Sequence, residues 1–129
     1  MAEAIAKHLC EKKRLSELFY FDSAATSREE IGNFMYPPAQ RKLRAENVPV
    51  IKHHARQITK NDLREFDEIY YMDSNNMKNL KRMFPEEDLS MVHPMLDRDI
   101  ADPWYTDDFD STYDDLMLSL HIILHLDSY

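Results

Sequence analysis

Cysteine is almost absent from this sequence, since Cys10 is the only one among 129 residues. A single thiol cannot form a disulfide within the chain, and it cannot complete a zinc site of four cysteines. The sequence therefore suits a reducing compartment, and we expect a cytoplasmic protein.

Glycine is just as scarce, with Gly32 the only one in the sequence. Loops that approach a phosphate closely commonly use glycine, because it adopts positive φ and has no Cβ. A phosphate-binding loop built from these residues would therefore be poorly supplied with glycine.

Long apolar runs and positive charge are also missing. No run approaches the roughly 20 apolar residues that span a bilayer, and the start Met1-Ala-Glu-Ala lacks the basic character of a secretory signal. A net charge of -8 repels the phosphates of nucleic acids and of anionic lipids. We therefore expect neither nucleic acid nor a membrane as a partner.

What is present is the composition of a globular protein. Hydrophobic residues make up 43% and charged residues 31% of the sequence, which is typical of folded domains. A chain of 129 residues can build one sizeable core but not two. The sequence predicts a single domain over residues 1–129.

Apolar residues recur every three or four positions in several segments, which is the period of an amphipathic helix. The clearest case begins at Phe109, where Ser111 and Asp114 fit a capping box. Pro37-Pro38 is suited to the first turn of a helix, which needs no N–H donor. The predicted helices cover residues 1–13, 37 to about 49, 75–84 and 109 onward.

Short apolar runs between these helices predict strands. Residues 18–21 are expected to form a buried strand, and residues 68–72 another, after a turn capped by Thr59 or Asn61. Residues 89–96 contain Pro94, which cannot donate a ladder hydrogen bond, so that strand is short or at an edge. Alternating helices and strands predict an α/β fold with a small parallel sheet and helices on both faces.

Four segments, taken together and in order, resemble the low-molecular-weight protein tyrosine phosphatases. They are Met1-Ala-Glu-Ala-Ile5, Phe21-Asp-Ser-Ala-Ala-Thr-Ser27, His53-His-Ala-Arg-Gln-Ile-Thr59 and Asp102-Pro-Trp-Tyr105. Residues 66–73, with Asn76, are similar to the third strand of that family and the loop after it. The resemblance covers almost the whole chain and implies the phosphotyrosine protein phosphatase I-like fold.

In that family, the segment resembling Met1-Ala-Glu-Ala follows a first strand and a loop of the form Cys-x5-Arg-Ser-Pro. Neither element is in this sequence. The resemblance implies hydrolysis of phosphotyrosine in proteins, or of small aryl phosphates, through a cysteinyl-phosphate intermediate and without a cofactor. Because the nucleophile and the phosphate loop are missing, we expect this chain to be N-terminally truncated and inactive.

Cys10 is not expected to replace that nucleophile. Arg14 follows it by four residues, not six, and the residues between them supply no glycine for an anion-binding loop. A buried structural cysteine is the expected role.

The remaining site residues are assigned by the resemblance. Asp102 matches the general acid, which protonates the leaving tyrosyl oxygen. Trp104 and Tyr105 match the aromatic pair that lines the substrate cleft. The residues that match positions bracing the phosphate loop are Ser23, His53 and Asp73.

No metal site is predicted. His53 and His54 are adjacent in an extended segment and point to opposite sides, so both cannot easily bind one ion together with Asp73. The acidic stretch from Asp107 to Asp115 lacks the glycine and the terminal glutamate of a calcium-binding EF-hand loop.

Two explanations of the missing loop stay open. In the first, Met1 is an internal methionine that has been taken as the start of a longer, active phosphatase. In the second, the chain is a natural pseudophosphatase that acts as a binding or assembly module. The first is favoured, because Asp102, Trp104, His53 and Asp73 keep family identities that a binding module does not need. An arsenate reductase, a third alternative, is disfavoured because it needs further cysteines.

Removing the family's first strand would leave unpaired backbone and exposed apolar surface on its neighbours. A few hundred square ångströms of exposed apolar area cost several kcal/mol, at roughly 25 cal/mol per Å². We therefore expect self-association or strand exchange.

Overall fold

The computed structural model describes residues 1–28 and 31–126 of the chain. Helices alternate with two short strands, which confirms the predicted α/β class. The elements are α1 (Ala2–Lys12), α2 (Pro37–Ala45), α3 (Lys60–Glu65), β1 (Ile69–Tyr71), α4 (Ser74–Met83), β2 (Val92–Pro94), α5 (Pro103–Thr106) and α6 (Phe109–Ile123).

The strands β1 and β2 pair in parallel, with Ile69 opposite Val92 and Tyr71 opposite Pro94. Parallel strands need a crossover between them, and α4 provides it. Pro94 ends the regular pairing, as expected of a residue without an N–H donor. Beyond it the chain still follows β1, because the backbone N–H of Met95 donates to the carbonyl of Tyr71 at 2.9 Å.

Helices cover both faces of β1. Tyr70 and Met72 pack against a core formed largely by α1, α2 and α6, whereas Ile69 and Tyr71 pack against a second core formed by α3, α4 and β2. Alternate side chains of a strand point to opposite faces, so the two cores lie on opposite sides of the sheet. The predicted layer arrangement is confirmed.

The larger core depends on contacts between α1, α2 and α6. Ile5, Leu43 and Leu116 are almost fully buried where α6 packs against the other two helices. The smaller core is built from Leu63, Leu80, Phe84 and Val92. In α1, α2, α4 and α6, buried residues lie on the face that packs against a core.

The prediction of a buried strand at residues 18–21 is wrong. Leu18 is 71% exposed and Tyr20 79% exposed, and the Tyr20 ring stacks on Phe66 with the centroids 6.0 Å apart. Among the described residues, the sheet consists of β1 and β2, and no strand pairs with this segment. A strand forms only where a neighbour completes its hydrogen bonds, so an apolar run alone is not sufficient.

Side-chain caps fix the ends of several helices. Thr59, one of the two predicted caps, forms a capping box with Asp62 at the start of α3. The capping box predicted for α6 from Ser111 and Asp114 is wrong. The cap is Asp108, which accepts a hydrogen bond from the Ser111 amide at 3.0 Å. Hydrogen bonds from Ser111 lower the pKa of the Asp108 carboxyl.

Within residues 1–28 and 31–126, no helix has both the length and the apolar character needed to cross a membrane.

Candidate active site

Ser23 and His53 come together although 30 residues separate them, with Ser23 Oγ 3.3 Å from His53 Nε2. The buried carboxylate of Glu3, in the first turn of α1, accepts a hydrogen bond from Ser23 Oγ at 2.6 Å. Sequence reasoning missed Glu3. The helical period places Glu3 largely off the apolar face formed by Ala2, Ile5, Ala6 and Leu9, so no local signal marked this carboxylate as buried.

Asp22 and Arg56 extend this group toward α3. One Arg56 nitrogen lies 2.9 Å from Asp22 Oδ2, and the guanidinium also donates to both carboxylate oxygens of Asp62 at 2.8 and 3.1 Å. Burial favours the neutral form of Asp62, but the hydrogen bonds from Arg56 and from Thr59 outweigh it, so the pKa of Asp62 lies below its ordinary value. The arginine therefore ties the Asp22–Ser23 loop to the start of α3.

This ion pair predicts a pH dependence of stability. The pKa of Asp62 is lower in the folded state, so its stabilising contribution is present above the unfolded pKa of about 3.9 and is lost as pH falls through the folded value. We expect Asp62→Asn to lower the free energy of unfolding at pH 7 and the difference from wild type to shrink below about pH 4. Urea unfolding at both pH values measures this.

The matched control is Asp67→Asn, which removes an exposed carboxylate just beyond α3. A difference for Asp62→Asn that stays constant between neutral and acidic pH would contradict the role given to the Asp62 charge.

Asp102 is exposed in the loop between β2 and α5. It caps α5, and its Oδ1 accepts a hydrogen bond from the Trp104 amide at 2.9 Å. Pro103 suits the first position of this short helix, which needs no N–H donor. The Asp102 carboxyl group is thus oriented by a hydrogen bond from within its own loop, and the residue is exposed to solvent.

Aromatic side chains surround this loop. Trp104 is 57% exposed, and its ring centroid lies 4.5 Å from that of Tyr36, which in turn stacks on Phe109 at 6.2 Å. Tyr105 is exposed beside them. Sequence reasoning missed Tyr36, although its position just before the helix-opening Pro37-Pro38 places it at an exposed helix start.

Asp73 has a local role. It caps α4 through a capping box, with its Oδ1 3.0 Å from the Asn76 amide. Among the described residues, the structure brings Ser23 and His53 into contact but shows no contact from Asp73 to either of them. The three predicted bracing residues therefore do not form one group here.

Cys10 lies inside α1 and is 1% exposed. Burial raises the pKa of its thiol, which favours the neutral form. A nucleophilic cysteine needs the opposite, an accessible thiolate with a lowered pKa. The structure places Cys10 in the core of the protein.

Comparisons with known proteins define the class. Residues 1–124 match the family model described as low molecular weight phosphotyrosine protein phosphatase. The human low molecular weight phosphotyrosine protein phosphatase is 37% identical over 121 residues, covering 85% of this chain and 74% of the human protein. The low molecular weight protein-tyrosine-phosphatase YfkJ of Bacillus subtilis is 35% identical over 117 residues, covering 85% of this chain and 75% of YfkJ.

The folds agree as well. The crystal structure of YfkJ from Bacillus subtilis superposes with a TM-score of 0.91 at 31% identity, covering 96% of this chain and 82% of that one. The chain belongs to the low molecular weight phosphotyrosine protein phosphatase family.

Proposed function

We propose that these residues carry the acid-loop half of a phosphotyrosine phosphatase active site. Asp102 is the general acid in this proposal, and Trp104 and Tyr105, with Tyr36, form an aromatic wall for the phosphorylated ring. Support comes from the exposed Asp102 carboxyl group beside the tilted Trp104–Tyr36 pair. A phosphotyrosine side chain, or a small aryl phosphate, fits a wall of this kind because its flat ring can stack there.

The same proposal includes inactivity of the 129 residues alone. The observation that carries this proposal is the burial of Cys10 in α1, which raises the pKa of its thiol. No other cysteine is present in the sequence. Without an accessible thiolate no cysteinyl-phosphate forms, so Asp102 has no leaving group to protonate. Ser23, His53 and Asp73 would brace a phosphate loop supplied by other residues.

The test is hydrolysis of p-nitrophenyl phosphate by the 129-residue chain and by its Cys10→Ser variant. We expect both proteins to give the uncatalysed rate, since neither presents a thiolate. Turnover by the 129-residue chain that is lost in Cys10→Ser would overturn the proposal.

We also propose that residues 1–129 form one domain in the cytoplasm. Support comes from β1, whose alternate side chains pack against each of the two cores, as expected of one domain. The lone cysteine needs no oxidising compartment.

A second candidate function is assembly through the exposed segment 18–21. Leu18, Phe19 and Tyr20 present apolar side chains to solvent, and no strand in the described part of the chain pairs with their backbone. Exposed apolar residues beside an open backbone favour association with a second strand. We propose that this segment mediates self-association or strand exchange between copies, as in a pseudophosphatase that acts as an assembly module.

Replacing Leu18 and Tyr20 with Lys is expected to shift the protein toward monomer. The two charges repel between copies and resist burial at an interface. Sedimentation velocity over a range of concentrations measures the effect, with Ile122→Lys on α6 as a control at an exposed apolar residue elsewhere. A wild-type protein that is monomeric at every concentration would refute self-association.

A further inference from the structure

Three side chains that can bind a metal ion converge from distant parts of the sequence. Glu3 lies in α1, Asp22 in the loop before α2, and His53 in the segment after α2. One ligand atom from each lies within 4.8 Å of the others. His53 Nδ1 is 3.4 Å from Glu3 Oε1 and 3.7 Å from Asp22 Oδ1. Sequence reasoning tested His53 only with His54 and Asp73, so it could not find this group.

The hydrogen-bond pattern assigns the protons of His53. A carboxylate only accepts hydrogen bonds, so Ser23 Oγ donates its hydrogen to Glu3 Oε1 at 2.6 Å. The free lone pairs of Ser23 Oγ then accept from His53 Nε2 at 3.3 Å, which places a hydrogen on Nε2. His53 Nδ1 is left facing two carboxylate oxygens. The point between these three atoms is therefore faced by one imidazole nitrogen and two carboxylate oxygens, which are the kinds of donor atom that bind a metal ion.

The other oxygen of each carboxylate is already held by a cation. Lys7 Nζ lies 2.7 Å from Glu3 Oε2, and an Arg56 nitrogen lies 2.9 Å from Asp22 Oδ2. These contacts orient Glu3 Oε1 and Asp22 Oδ1 toward His53. Each of these two oxygens also accepts one hydrogen bond from Ser23 and keeps a second lone pair. Outer contacts of this kind are typical of metal ligands, because they fix the direction of the donor atoms.

We propose that Glu3, Asp22 and His53 form a zinc site. Zinc binds imidazole nitrogen and carboxylate oxygen at about 2.0–2.2 Å, so in tetrahedral geometry its ligand atoms are about 3.3–3.5 Å apart. The 3.4 Å separation of His53 Nδ1 from Glu3 Oε1 already lies in this range, and the 3.7 Å separation from Asp22 Oδ1 lies slightly beyond it. The ligand atoms of the two carboxylates lie within 4.8 Å of each other. An imidazole donor favours zinc over magnesium or calcium. The fourth position is available to water.

Bound zinc would link three segments that are separate in sequence. A ligand that binds only the folded state raises the free energy of unfolding by mass action. The ion would also fix the contact between Ser23 and His53 through the shared Glu3 carboxylate. This site does not depend on catalytic activity, so it can be tested in a protein that hydrolyses no phosphate ester.

The experiment is titration of the 129-residue chain with ZnCl₂ by calorimetry and with CoCl₂ by visible absorption. We expect one ion per chain and the intense d–d bands of four-coordinate Co²⁺. His53→Gln is expected to weaken zinc binding at least about tenfold, because loss of a direct ligand should cost no less affinity than loss of an outer contact, which costs about 10–100-fold. His54→Gln is the matched control, because it removes the adjacent, exposed imidazole, and it should leave the affinity unchanged.

Asp22→Asn is the second variant, since Asp22 is only half-buried. It should weaken binding while keeping the wild-type circular dichroism. If a variant unfolds, the ¹⁵N shifts of the His53 ring in wild-type protein give an independent result, because bound zinc shifts Nδ1 specifically. Absence of zinc binding, an effect of His54→Gln equal to that of His53→Gln, or unmoved His53 signals would each overturn the site.

Discussion

Asp102→Asn is expected to lower kcat toward a phosphotyrosine peptide by about 10²–10⁴-fold, the usual contribution of a general acid. The measurement needs a form of the protein that carries the family's Cys-x5-Arg loop ahead of Met1. The amide cannot supply a proton to the leaving tyrosyl oxygen, but it can still accept the hydrogen bond from the Trp104 amide that fixes the loop. The loss should be smaller with p-nitrophenyl phosphate, whose leaving group needs less protonation.

Asp107→Asn is the matched control for this prediction. Asp107 ends α5 with a φ of 57°, a left-handed conformation that asparagine tolerates well. The variant therefore removes one negative charge from the same loop without straining the backbone, and kcat should change little. An equal loss in both variants would show that loop charge, and not a proton from Asp102, supports catalysis.

Leu116→Ala is expected to lower the free energy of unfolding by about 2–5 kcal/mol, the range measured for buried leucines. Leu116 is 1% exposed in the core where α6 packs against α1 and α2. Truncation removes buried methyl groups and leaves a cavity that the three helices cannot fully close. Urea unfolding at neutral pH measures the change.

Leu118→Ala on the same helix separates packing from helix propensity. Leu118 is 42% exposed, so the same change in residue type should cost no more than about 0.5 kcal/mol. Equal effects at the two positions would contradict the packing of α6 described above.

The helices could be predicted because their signal is local. The period of apolar residues marked α1, α2, α4 and α6, and Pro37-Pro38 marked the start of α2. The strand at residues 68–72 was also predicted correctly, because a short apolar run ended at the helix cap Asp73. These features depend on neighbours only a few residues away.

The segment 18–21 shows where such reasoning fails. Its apolar aromatic residues have strand propensity, but a strand exists only if another part of the chain pairs with it. Propensity cannot show whether that partner is present. In the described part of the chain the segment stays exposed, with Tyr20 stacked on Phe66.

The site could be predicted only in part, and the reason is similar. The resemblance placed Ser23 with His53, and the structure brings these two into contact. Glu3 completes the group from a position 20 residues before Ser23 and 50 before His53, and only the packing of α1 decides that its carboxylate faces them. Tyr36 joined Trp104 in the same way, through the position of α2 relative to the Asp102 loop. Contacts between distant segments are not encoded in local periodicity.

We propose that these 129 residues carry the acid-loop half of a phosphatase site and that none of them is its nucleophile. Hydrolysis of p-nitrophenyl phosphate at mildly acidic pH tests this most directly, in a comparison of the 129-residue chain with a chain that carries the family's first strand and Cys-x5-Arg loop ahead of Met1. We expect turnover by the extended chain alone, and we expect that turnover to be lost when the added cysteine is replaced with Ser. Turnover by the 129-residue chain at an enzymatic rate would contradict it, because the nucleophile would then lie within the residues described here.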